Sequence, residues 1–187
     1  MNNTEKFDIE INDEGRMESE NVHPSFKAIE SEPNNVIEID PKNNMVVVVK
    51  PDAYFHLPEI MDRLTSEGIT ITRQSTQMLP LSFVNKIMYK DLPDPIKFET
   101  AKHFSQGPST ILLLTGDENL LTKILKITGQ ETQPGKCDID SIRYMFGDHD
   151  GSDMPQIGKK YFKNAIHRGK NPAEISEDLD KFKTFII

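Results

Sequence analysis

The chain has 187 residues, enough for one domain with a substantial core, and its 36% hydrophobic and 28% charged content excludes fibrous and low-complexity classes. Its net charge of −8 is uneven: residues 1–42 hold eleven acidic against four basic side chains, which leaves a nearly neutral body with local basic stretches. The single cysteine, Cys137, excludes a disulfide framework and a cysteine zinc cluster. The opening residues lack a signal-peptide pattern and no apolar run nears the roughly 20 residues that span a bilayer, so a cytoplasmic protein without membrane contact is expected.

Residues 1–42 read as an acidic, disordered leader, because apolar residues as sparse as Phe7, Ile9, Ile11 and Phe26 do not offset ordering entropy. Residues 43–187 read as the folded domain. Met45–Val49 is an uninterrupted apolar run, as in a strand covered on both faces, and Pro51 ends it. Leu57, Ile60, Met61 and Leu64 recur at helical spacing between Pro58 and Gly68. Ile69–Met78 alternates like a second strand, Leu81–Lys90 and Pro95–Ser105 are amphipathic helices, and Thr110–Leu114 is a third strand. Asp117 is placed to cap a helix that runs to Gly129. Gln130–Lys163 is turn-rich and polar, Ala165-Ile166-His167 is a short strand, and Ala173–Phe182 is a last helix. The order β-α-β-α-α-β-α-loop-β-α implies an α/β (α+β) sandwich in which helices cover one sheet and strand ends feed a cleft.

Two motifs fail on their spacing. Gly129–Cys137 has five residues between its glycines instead of four and a cysteine where a phosphate loop places Ser or Thr. Asp148-His149-Asp150-Gly151-Ser152-Asp153 lacks the distal glutamate of a calcium loop and reads as a solvated turn, so no protein-held metal is expected. Taken singly, His167, Lys50 and Arg143 are equally ordinary: a histidine in an apolar strand and two surface cations.

Their order is not ordinary. Lys50-Pro51-Asp52 at a strand end, Tyr89, Gly107-Pro108 before a strand, Thr132, Ser141-Ile142-Arg143 and Asn164-Ala165-Ile166-His167 together resemble the nucleoside diphosphate kinase family, over about residues 45–183. The resemblance implies a ferredoxin-like βαββαβ core. It also implies ping-pong transfer of the γ-phosphoryl group of ATP to nucleoside diphosphates, with Mg2+ carried by the nucleotide. On it, His167 is the nucleophile and Asp178 on the last helix orients it, with Glu177 alongside. Arg143 and Thr132 hold phosphate oxygens, Tyr89 lies near His167, Lys50 and Asn164 bind sugar hydroxyls, and Phe98 stacks on the base, with Ile96 as the alternative. An imidazole suits this chemistry because it is largely unprotonated near neutrality and nucleophilic, and phosphoryl transfer then needs mainly positioning and charge neutralisation. The family implies nucleoside di- and triphosphates as partners and a homo-oligomer, and nothing points to nucleic acid.

The sequence departs from the family where His-Gly-Ser-Asp becomes His167-Arg168-Gly169-Lys170, and where an arginine on the helix before Thr132 is missing, leaving Lys123 or Lys126 as substitutes. About eleven extra residues lie before Asn164, an insertion near residues 146–160. Two rival readings stay open: a homologue that binds nucleotides without turnover, and an unrelated interaction domain of the same fold.

Overall fold

The computed structural model describes residues 39–186. The leader, 1–42, lies outside this range except for its last four residues, of which Ile39 packs against the core. Strand β1 (Asn44–Val49) is followed by a 3-10 turn (Pro51–His56) and helix α1 (Leu57–Ser66). Strand β2 (Thr70–Gln77) precedes a short helical segment, α2 (Leu81–Phe83) continued by a π turn (Val84–Met88), and then α3 (Asp94–Phe104). Next come β3 (Ser109–Thr115), α4 (Leu120–Thr128), α5 (Ile142–Phe146), β4 (Ser152–Met154), β5 (Lys159–Tyr161), β6 (Ile166–Arg168) and α6 (Pro172–Ile186).

The main sheet has the order β2-β3-β1-β6 with every neighbouring pair antiparallel, the ferredoxin-like arrangement that the sequence implied. All six residues of β1 are buried, as expected for a central strand built from Val46–Val49. Burying each such side chain contributes about 1.5–3 kcal/mol, so the strand that delivers Lys50 is firmly held. Helix α6 lies across β1, β2 and β3.

The stretch Gln130–Lys163 departs from expectation. It contains a 3-10 turn (Pro134–Lys136), α5 and a β4–β5 hairpin rather than turns alone. Each piece has only three to five residues, too short to show a period, so the sequence showed only its turn residues. Strand β6 extends one residue beyond the expected His167, to Arg168, which therefore pairs opposite Val47.

Candidate active site

Lys50-Pro51-Asp52 and Asn164–His167 meet because β1 and β6 are neighbours. The Lys50 N–H donates to the Ala165 carbonyl at 2.8 Å, and the Ala165 N–H donates to Asp52 Oδ2 at 2.9 Å. This clasp holds Ala165 at φ 61°, while Ile166 N donates to Asn164 O at 2.6 Å. The result is a γ-turn of the rarer hand, in a backbone region that costs a non-glycine residue about 1–3 kcal/mol. The turn aims two side chains. Asn164 accepts from Lys50 Nζ at 2.5 Å and donates to the Thr132 carbonyl at 3.2 Å, which fixes its amide orientation. Its neighbour His167 lies opposite Val48.

The two ring nitrogens of His167 have different partners. Nε2 is 3.1 Å from Asp178 Oδ2, and Nδ1 is 3.3 Å from the Tyr89 hydroxyl. A carboxylate accepts, so Nε2 carries the proton and Nδ1 presents its lone pair. Burial, with Tyr161 and Asp178 nearby, raises the Tyr89 phenol, which therefore stays a neutral donor. The 3.3 Å separation is long and easily given up to a ligand. Tyr89 sits where the π turn closes, its N–H donating to Val84 O at 2.9 Å; π turns often mark functional sites. Of the two carboxylates expected on α6, Asp178 is buried at the histidine, whereas Glu177 pairs with Lys90 and Lys181 at the surface.

The cations surround this centre. Lys50 is 6% exposed, and its pKa is lowered to about 8 by burial, against the opposing pull of Asp52 and with help from Arg143. Arg143, on α5, donates to the carbonyls of Gly129, Glu131 and Ile166 at 3.3, 2.9 and 3.3 Å. Thr132 is exposed, in the segment that starts at Gly129, the expected end of α4. Gly129 has φ 90°, and a Cβ there would stand 2.7 Å from Cys137 Sγ, so no other residue fits. Two lysines on α4 stand as expected substitutes for the missing arginine. Lys123 is tied to Asp117 at 2.8 Å, and Lys126 lies exposed along a cleft with Arg63, Asp138 and Asp140.

Sequence reasoning missed a second network behind Lys50. His103, 1% exposed on α3, bonds Asp52 Oδ1 through Nε2 at 2.9 Å and the Tyr161 hydroxyl through Nδ1 at 3.0 Å. Tyr161 belongs to the inserted hairpin, whose phenol burial pushes up to about 12. Burial works to raise the Asp52 carboxyl, but His103, Lys50 and the Ala165 N–H outweigh it and hold it below the ordinary 3.8. The only sequence signal was the amphipathic spacing expected over Pro95–Ser105, which carries no sign that His103 meets Asp52. The same spacing puts Ile96, Thr100 and His103 on one face, with Thr100 bonded to the Ile96 carbonyl, while Phe98 is 68% exposed on the outer face.

Gly169, at the position of the family's serine, is closed to any side chain: a Cβ would approach Ile175 N to 2.8 Å at the start of α6. The acidic stretch at Asp148 is a turn, with Asp148 Oδ1 accepting from the N–H groups of Asp150 and Gly151.

A family model described as nucleoside diphosphate kinase matches residues 43–183. Among solved structures, a transition-state mimic of a nucleoside-diphosphate kinase from Borrelia burgdorferi, with bound vanadate and ADP, is 18% identical with TM-score 0.62, covering 77% of this chain and 89% of that one. A nucleoside diphosphate kinase from Aquifex aeolicus is 25% identical with TM-score 0.61, covering 78% of this chain and 99% of that one. An NDP kinase from Pyrobaculum aerophilum is 17% identical with TM-score 0.62, covering 78% and 98% respectively. No curated protein matches the sequence.

Proposed function

Because the chain belongs to the nucleoside diphosphate kinase family, we propose that it moves a γ-phosphoryl group from ATP to nucleoside diphosphates through His167 Nδ1. The observation that carries this reading is the asymmetric imidazole, with Nε2 held by Asp178 and Nδ1 facing only a long hydroxyl contact beside buried cations. In the first half-reaction the Nδ1 lone pair bonds the γ-phosphorus while the bond to the β,γ-bridging oxygen breaks and ADP leaves. In the second, a terminal oxygen of the incoming diphosphate bonds the phosphorus as the N–P bond breaks. Asp178 stabilises the cationic ring between the two steps through the Nε2 proton. The magnesium ion belongs to the nucleotide, and Arg143 with Thr132 takes phosphate oxygens.

Lys50 and Asn164, already joined, offer the sugar hydroxyls an ammonium and an amide. For the base, Phe98 is 68% exposed on α3 and open to stacking, whereas Ile96 shares the inward face of the buried Thr100 and His103. Phe98→Ala is expected to weaken nucleotide binding several-fold and Ile96→Ala to change it little in calorimetric titrations; the reverse result moves the plate to Ile96. Phe55, Phe98, Ile139 and Met145 expose large apolar side chains, which supports self-association. Among the described residues no helix is long and apolar enough to cross a membrane.

The deciding experiment is the intact mass after brief exposure to Mg-ATP. An acid-labile adduct of one phosphoryl group that GDP discharges is expected. ATP binding without an adduct would transfer the assignment to the non-catalytic homologue. Arg168, which stands where the family has a glycine, projects from the face of β6 opposite His167 and bonds Thr128 and Gly129.

A further inference from the structure

Consecutive strand residues face opposite sides of a sheet, so Arg168 runs away from His167 and under the end of α4. Its Nε donates to Thr128 Oγ1 at 3.0 Å and its Nη2 to the Gly129 carbonyl at 2.8 Å. Arg143 reaches that same carbonyl from α5. Both side chains are buried, at 6% and 7% exposure, and every hydrogen bond they make ends on a neutral oxygen. Cys137, Tyr89 and Glu131 temper Arg143, and Glu174 and Cys137 temper Arg168, none of them through a side-chain hydrogen bond to either guanidinium. The Nε–H of Arg143 is buried with no partner at all. Burial, and then the charge of Arg143, lowers Arg168 to about 10, so the two guanidinium groups feel each other.

Two buried cations that share one carbonyl, with one donor left over, are costly unless an anion completes them. We propose that Arg168 is a positioning residue of the phosphate end: it anchors the Gly129 carbonyl, from which the Thr132 segment departs, and adds a second positive charge behind Arg143. This rests on the reading above and extends it. The missing helix-borne arginine is replaced from the strand, by the residue after the nucleophile, and the gain grows with the number of phosphates on the ligand. The Arg168 side chain also explains why no glycine is needed at that position, since its bulk occupies space on the α4 side of the strand.

The test compares AMP, ADP and ATP binding, at low and moderate salt, to wild type, Arg168→Gln and Arg168→Lys. The expected result is a loss of ATP affinity of about tenfold in Arg168→Gln, little change for AMP, a shallower salt dependence, and recovery of most of the ATP affinity in Arg168→Lys. An equal loss for all three nucleotides, or Lys no better than Gln, makes Arg168 a packing residue and overturns the proposal. If Arg168→Gln fails to unfold cooperatively, the double variant Thr128→Val, Arg168→Met removes donor and acceptor together, which preserves folds better. An ATP-to-AMP ratio equal to wild type in that variant likewise overturns it. Wild type that prefers ATP to AMP yet forms no adduct overturns the catalytic reading alone; wild type that binds neither overturns both.

Discussion

Replacing His167 with alanine is expected to remove phosphoryl transfer by at least about 10,000-fold, the scale on which a lost nucleophile acts, while nucleotide affinity changes by less than about threefold, since a nucleophile contributes little to ground-state binding. The structure separates the two quantities. The imidazole bonds Tyr89 and Asp178, whereas Lys50 bonds Asn164 and Arg143 bonds the Glu131 carbonyl, contacts that do not involve the ring. Strand β6 keeps its pairing with β1 through backbone groups. A coupled turnover assay beside a calorimetric titration measures both. Unchanged turnover in His167→Ala would remove the histidine from the chemistry and the enzyme assignment with it.

The second large effect falls on stability. Asp52→Ala is expected to cost about 3–5 kcal/mol, the range for removing one partner of a buried ion pair. The substitution leaves His103 Nε2 and the N–H of Ala165 without their partner and removes the opposite charge near the Lys50 ammonium, which keeps its bond to Asn164. The acid dependence follows from the sign of the shift. A carboxyl held below 3.8 contributes stability that is complete above that value and is lost as the pH falls through it towards the native value. Urea denaturation at pH 7 and again near pH 3.5 reads this directly: the gap between wild type and variant should narrow in acid. A gap below about 1 kcal/mol at neutral pH would mean that the clasp around Ala165 carries no stability.

Much of this was legible in the sequence because it is local. Pro51 and Gly129 punctuate the elements that they end, Val46–Val49 announces a central strand, and the spacing of Leu57, Ile60, Met61 and Leu64 fixes α1. The site residues became legible only as an ordered set, and the structure brings Lys50, Tyr89, Arg143, Asn164, His167 and Asp178 into one connected neighbourhood. What stayed hidden depends on long-range geometry. His103 finds Asp52 across a gap of 51 residues and Tyr161 finds His103 across 58, and no periodicity encodes such a meeting. The sequence places Arg168 directly after His167, and only the alternation of β6 shows that the two side chains leave the sheet on opposite sides. Lys123 and Lys126 suggest themselves as substitutes because they share a helix with the missing arginine; the first pairs with Asp117 and the second lies exposed along a cleft with Asp138 and Asp140.

The order β2-β3-β1-β6 also bears on how the chain comes to be folded. Strands β1, β2 and β3 are complete by Thr115, but the partner for the outer side of β1 is a three-residue strand that begins at Ile166. Until that short segment is synthesised and docks, Val47–Val49 present an apolar edge with unpaired backbone groups, the kind of surface on which chains pair with one another. Closing this edge and placing His167 are a single event, because the strand that seals β1 is the strand that carries it. A nascent chain is therefore most prone to aggregate during the interval before His167 is in place.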